Sequence, residues 1–171
     1  AKVFYLCLKY PGNRIAVIRK DFTDLEESTL FTLIEGDERT DPVIPPEYIV
    51  NHNKSKHKIE VYNPWGANST IIYSGLSKGK NAKYPQKLGS TQFGAIFIDE
   101  LIEIDEGDYN FLLSRLRHPV TDRHGNPGPR PIFGATNPDG PGHWAYEQFI
   151  EPDHSDNPNI DVIQARTGDN K

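Results

Sequence analysis

Apolar and polar positions fall along this chain in blocks that predict alternating helices and strands. Val3, Phe4, Leu6, Cys7 and Leu8, with Lys2 and Lys9 outside, read as the last turns of a buried helix that Pro11-Gly12-Asn13 stops. Ile15-Ala16-Val17-Ile18 is a continuous apolar run, as a strand covered on both faces requires. Helix, turn and buried strand make half of a βαβ unit. Thr23-Asp24-Leu25-Glu26 has the form of a capping box with Thr23 as the cap, and Phe22, Leu25, Leu30, Leu33 and Ile34 give a helical stripe after it. Residues 36–46 are acidic and proline-broken, hence a loop. Lys58 to Tyr62 alternates polar and apolar, 63–68 is a turn cluster, and 70–73 is apolar again, which predicts a hairpin. Ala95-Ile96-Phe97-Ile98 is a second buried run, and Asp105 is placed to cap a helix carrying Tyr109, Leu112, Leu113 and Leu116. A Pro/Gly loop over 118–131 leads to Ile132-Phe133-Gly134-Ala135, a third buried-strand candidate. Residues 141–150 predict a short helix and 160–165 one more strand.

Composition narrows the class. With 171 residues, one domain is the default, and a domain of that size buries roughly 70% of its unfolded surface without needing a staple. No apolar run approaches the roughly 20 residues of a membrane span, and no basic segment leads an apolar one as in a signal peptide. A single cysteine, Cys7, cannot form an internal disulfide and suits a reducing compartment. The balance of 19 basic against 24 acidic residues gives −5, unlike a dedicated sequence-specific DNA-binding module. A local grip on DNA stays open. Lys78, Lys80, Lys83 and Lys87 form a basic cluster with no acid between them, either a contact for phosphates or a solvated loop. The histidines lack zinc-finger spacing, so a structural zinc is not expected. The absence of methionine and an opening that reads as mid-helix lead us to expect a fragment.

The chemistry sits where apolar runs end. Ligands of open α/β sheets bind beyond the carboxyl ends of the strands. One run ends in Asp99-Glu100 and another in Thr136-Asn137. If those strands are neighbours, all four side chains reach one crevice. Mg²⁺ needs only one or two carboxylates and keeps several waters, so Asp99 could hold its water shell. Glu100 could then position and polarise an attacking water, and Thr136 or Asn137 could sense a γ-phosphate. The plainer reading is that two acids mark where a strand meets water. A phosphate loop of the form G-x-x-x-x-G-K-[ST] is missing. Residues 75–81 imitate it, but the glycine spacing is wrong and Asn81 follows the lysine. In nucleotide-binding folds of this kind the loop precedes the first helix, inside which this chain is expected to open.

Four segments in order carry a resemblance: Asn13 to Leu25, Ile72-Tyr-Ser-Gly-Leu76, Lys87-Leu-Gly-Ser-Thr-Gln-Phe-Gly-Ala-Ile-Phe-Ile-Asp-Glu100, and Gly134-Ala-Thr-Asn-Pro138 followed by His143-Trp144. Together they resemble the ATPase domain of tailed-phage terminase large subunits, over residues 1 to about 165. The resemblance implies a three-layer α/β P-loop NTPase of the additional-strand, catalytic-glutamate type, with a mainly parallel central sheet and the hairpin as an antiparallel addition. Residues 1–166 would be a partial ATPase domain without its Walker A strand and loop, and 167–171 the start of a linker or tail. Asp99 falls on the Walker B aspartate that holds Mg²⁺ through water, Glu100 on the catalytic glutamate, and Thr136 and Asn137 on the coupling motif. Arg19 and Lys87 are candidates for a phosphate or trans-acting basic contact. A lysine lacks the guanidinium fork that many relatives use there. A helix-facing salt bridge is the competing reading for Arg19. The implied cofactors are ATP and Mg²⁺. The implied partners are double-stranded DNA, a portal protein, a small terminase subunit and further copies in a ring. No membrane is involved, and the implied place is the cytoplasm of an infected bacterium, docked on the procapsid portal.

Two rival functions remain at this stage. A helicase-like P-loop motor would need a second nucleotide-facing domain with arginines. A non-catalytic scaffold or nucleic-acid-binding domain would make Asp99 and Glu100 mere surface acids.

Overall fold

A computed structural model describes residues 1–77, 84–137 and 140–164. Lys78, Lys80 and Lys83 lie outside the described residues, as does the tail over 167–171. Contacts divide the chain into two compact units, Ala1–Thr136 and Asn137–Lys171.

The first unit is built on one six-stranded sheet. Its strands are β1 (Arg14–Arg19), β2 (Ile49–Asn53), β3 (Lys58–Val61), β4 (Ser69–Gly75), β5 (Ala95–Asp99) and β6 (Ile132–Ala135), in the spatial order β2-β3-β4-β1-β5-β6. The pairs β4–β1, β1–β5 and β5–β6 are parallel. The pairs β2–β3 and β3–β4 are antiparallel. The sheet is thus mainly parallel, with the expected hairpin added at one side.

Ile15, Ala16, Val17 and Ile18 have no accessible surface. Successive strand side chains point to opposite faces, so zero exposure at four consecutive positions means that both faces of β1 are covered. Helix α1 (Lys2–Lys9) packs Val3, Leu6 and Cys7 into the same core as Ile15, Val17, Ile71 and Tyr73. Tyr5 points outward and is exposed, so α1 is amphipathic rather than wholly buried.

A second helix, α2, starts as Phe22–Asp24 and continues in wide turns over Leu25–Glu35. Its cap is Asp21, whose carboxylate accepts from the Thr23 N–H at 2.8 Å. This corrects the expected Thr23 capping box: the aspartate two residues earlier reaches the orphan amide first. The wide turns follow from the apolar spacing. Leu25 and Leu30 are five apart, and an i→i+5 helix brings both to the sheet with Thr29 and Leu33. Helix α3 (Gln86–Ser90) is short. Helix α4 (Glu106–Leu113) is capped as expected by Asp105, which accepts from the Asp108 N–H at 2.7 Å.

Three further expectations change. β2 falls in a stretch that carried no expected element. Ile132–Ala135 is a strand, but a half-exposed one, with Gly134 and Ala135 open to solvent. Among the described residues it pairs only with β5, so its outer side lacks the cover that β1 has. Residues 160–164 form no strand, and Ile163 is 85% exposed. The short helix expected over 141–150 is present as a helical turn at Tyr146–Ile150, with Trp144 edge-on to Phe149 at 6.1 Å.

Candidate functional site

The parallel strands deliver their carboxyl ends to one rim. Arg19 ends β1, Asp99 ends β5 and Ala135 ends β6. Asp99 pairs with Ala135 in the β5–β6 register, so Glu100 and Thr136 are the next residues on adjacent strands. The two strand ends that the sequence offered for one crevice are therefore neighbours. Gly134 belongs to this approach: a Cβ there would lie 3.1 Å from the Ile98 carbonyl.

Asp99 is held on one side only. Thr29 Oγ1 donates to its Oδ2 at 2.5 Å, and Arg19 Nη1 lies 4.0 Å from the same oxygen. Its Oδ1 has no hydrogen-bond partner among the described residues. Glu100 follows with φ +51° and ψ 66°, in the left-handed region that costs a non-glycine residue roughly 1–2 kcal/mol. Its backbone carbonyl accepts from Glu103 N–H at 2.9 Å, closing a tight turn over Leu101–Glu103. Within that turn the Ile102 N–H donates to Thr136 Oγ1 at 3.3 Å. The end of β6 is thus tied to the turn that carries Glu100.

Arg19 does form a salt bridge, to Glu103 in the short turn after β5. Its Nε and Nη2 donate to the two carboxylate oxygens of Glu103 at 3.2 and 3.1 Å, and Nη1 donates to the Asp24 carbonyl at 3.4 Å. The Glu103 hydrogen bonds raise the guanidinium pKa. Lys20, the residue after β1, ion-pairs at 3.0 Å with buried Asp108, which also accepts from Tyr84 Oη at 2.8 Å.

Lys87 lies elsewhere on the rim. Its ammonium donates to the Lys56 carbonyl, and burial lowers its pKa. It lines an open cleft of about 340 Å³ beyond β4, with Phe22, His57, Ser74 and Gly75. Strand β1 stands between β4 and the Asp99 strand. Phe22 approaches so closely that a Cβ on Gly75 would sit 2.9 Å from its backbone nitrogen. Asn137 opens the second unit.

Thr29 and Glu103 were not visible as site residues in the sequence. Thr29 was one polar position inside an apolar stripe, and Glu103 one acid in an acidic stretch. Among the described residues no cluster of three His, Cys, Asp or Glu side chains is placed to hold a metal. The donor set still suits Mg²⁺, which takes oxygen ligands, one or two carboxylates, retained waters and substrate phosphates. The free Oδ1 of Asp99 is one such oxygen.

Comparison with known proteins shows the fold and the family. No curated protein matches the chain in sequence. Among solved structures, it is similar to the large terminase of a thermophilic bacteriophage in crystal form 2, with a TM-score of 0.65 and 15% identity over 93% of this chain and 34% of that one. It is also similar to the same terminase with ADP (TM-score 0.62, 15% identity, 93% of this chain and 34% of that one). The complex with ATP-γ-S gives 0.61 and 16%, over 93% of this chain and 33% of that one. The chain therefore spans about a third of the length of these terminases, and at this identity the likeness establishes the shared fold. The family model for the phage terminase large subunit matches residues 2–171. Matched over nearly its whole length, the chain belongs to the phage terminase large subunit family.

Proposed function

We propose that this chain is the ATPase part of a DNA-packaging motor, hydrolysing ATP to drive double-stranded DNA into a procapsid. The observation that carries the reading is the juxtaposition at the β5–β6 rim: Asp99 and Glu100 end one parallel strand, and Thr136 continues the next in register. Such a rim is where open α/β sheets bind their ligands. The thermophilic-phage terminase structures with ADP and ATP-γ-S support a nucleotide as that ligand.

Asp99 would hold the water shell of Mg²⁺ through Oδ1. When bound, the ion would neutralise charge on the β- and γ-phosphates. Glu100 would orient the attacking water and accept its proton as the water oxygen bonds the γ-phosphorus and the bond to the bridging oxygen breaks. ATP and water thereby give ADP and phosphate. Thr136, already bonded to the turn after Glu100, would relay the state of the γ-phosphate along β6, with Asn137 following it in the coupling motif.

Arg19 is committed to Glu103, so Lys87 is the better of the two candidate trans-acting cations. The partners proposed with this role are the portal protein, the small terminase subunit and other copies of the chain in a ring. The setting is the cytoplasm of an infected bacterium. Lys78, Lys80 and Lys83 remain proposed DNA contacts.

The test is Glu100→Gln in the full-length enzyme. Turnover should fall by about 10³-fold or more while Mg-nucleotide binding persists. Unchanged turnover would remove Glu100 from the chemistry. Absence of any Mg-dependent nucleotide binding in the parent enzyme would favour the scaffold reading. The 171 residues alone should not hydrolyse ATP, because no phosphate loop is among them.

A further inference from the structure

We propose that Thr29 is a positioning residue for the nucleotide site: it holds Asp99 by Oδ2 and so presents Oδ1 alone to the metal of a bound Mg-nucleotide. This rests on the ATPase reading of Asp99.

A helical threonine commonly turns its hydroxyl back to the carbonyl four residues earlier. Thr29 does not. It is 8% exposed, and its one hydroxyl proton goes to Asp99, seventy residues away, at 2.5 Å. Short O–H···O⁻ bonds of this kind are among the stronger ones, and they fix geometry.

The helix is built to make the contact. Turns with i→i+5 bonds are rare, and the single-turn bulges in which they mostly occur are frequently found at functional sites. Here the wide turns over Leu25–Glu35 bury Leu25, Leu30 and Leu33 beside Thr29, which clamps its backbone against the sheet. The second group near Oδ2, Arg19, is itself held by Glu103 and the Asp24 carbonyl. Both neighbours of Asp99 therefore address the same oxygen. The carboxylate cannot rotate to offer Oδ2 without breaking the Thr29 bond. Residues that orient a metal-holding carboxylate from behind typically change metal affinity about 10–100-fold when removed.

The experiment titrates Mg²⁺ against a fluorescent N-methylanthraniloyl-ADP bound to the full-length enzyme. Thr29→Val keeps the shape and removes the donor. The Mg²⁺ midpoint should rise about tenfold, while nucleotide affinity in EDTA stays unchanged. Thr29→Ser restores the donor and should bring the midpoint back to within about twofold. A merely structural role would lower the melting temperature and leave the midpoint in place. Asp99→Asn separates the two levels of the argument. If it abolishes the Mg²⁺ dependence and Thr29→Val does not shift it, the positioning role is wrong and the site reading survives. If neither variant alters the Mg²⁺ dependence, the metal role of Asp99 fails and the inference goes with it. Should Thr29→Val not fold, Thr29→Ala, which also removes the donor, takes its place. An unshifted midpoint there overturns the proposal.

Discussion

Arg19 closes a two-pronged ion pair on Glu103, Nε to Oε2 at 3.2 Å and Nη2 to Oε1 at 3.1 Å. It joins the end of β1 to the turn after β5. The two side chains are 15% and 32% exposed, so the pair is partly shielded from solvent. A bidentate guanidinium–carboxylate pair in such a place exceeds an ordinary surface bridge. A double-mutant cycle of Arg19→Gln and Glu103→Gln, followed by urea unfolding, should give a coupling of about 1 kcal/mol. A coupling indistinguishable from zero would mean that the fork is ornamental.

Glu100 combines its proposed role with a strained backbone. Glycine there relieves the left-handed penalty of roughly 1–2 kcal/mol and loses roughly 0.5–1 kcal/mol to chain entropy. Glu100→Gly should therefore match or exceed the parent in stability, by up to about 1.5 kcal/mol, and lack turnover. Clear destabilisation in denaturant would show that the carboxylate supports the fold and not only the chemistry.

Acid should weaken the fold through two histidines. His52 and His57 both have pKa values lowered from 6.5, chiefly by burial, with Lys54 and Lys87 respectively adding repulsion. The unfolded chain takes up protons as pH falls through 6.5, and the folded chain resists until its own lower pKa values. Stability is thus complete above 6.5 and lost as pH falls through the folded values. The melting temperature should be lower at pH 5 than at pH 7.5. His57→Asn, which tolerates the φ of +49° at that position, should flatten part of the slope. An unaltered slope would assign the effect elsewhere.

Cys7 should be chemically silent. Its side chain has no accessible surface, and burial pushes its thiol up to about 12. Asn63 Nδ2 and Ser69 Oγ lock its carbonyl at 2.8 and 2.7 Å. A disulfide reagent at pH 8 should label none of it in the folded protein and all of it in guanidinium. Rapid labelling without denaturant would reveal opening of α1.

The parts of the fold legible in the sequence were those whose environment is uniform along the segment. Ile15–Ile18 and Ala95–Ile98 are strands buried along nearly their whole length, so their composition alone marks them. Ile132–Ala135 has the same look, but its outer side is unpaired among the described residues, a neighbour relation that composition does not encode. β2 has the reverse problem: Ile49-Val50-Asn51-His52-Asn53 reads as polar because much of it faces solvent. The capping residue of α2 is not set by composition, because Asp21 and Thr23 are both competent and backbone direction decides between them. At the site, Asp99 and Glu100 stood out by their place at the end of an apolar run. Their partners did not, since Thr29, Arg19 and Thr136 reach them through pairing and helix pitch rather than sequence distance.

The turn after Glu100 is moored twice, to Thr136 through the Ile102 N–H and to Arg19 through the Glu103 carboxylate. Neither flanking strand can slide along β5 without straining one of these bonds. If Glu100 acts as proposed, displacement of either strand would re-aim the carboxylate that orients the water, so hydrolysis and strand movement would be linked through this one turn.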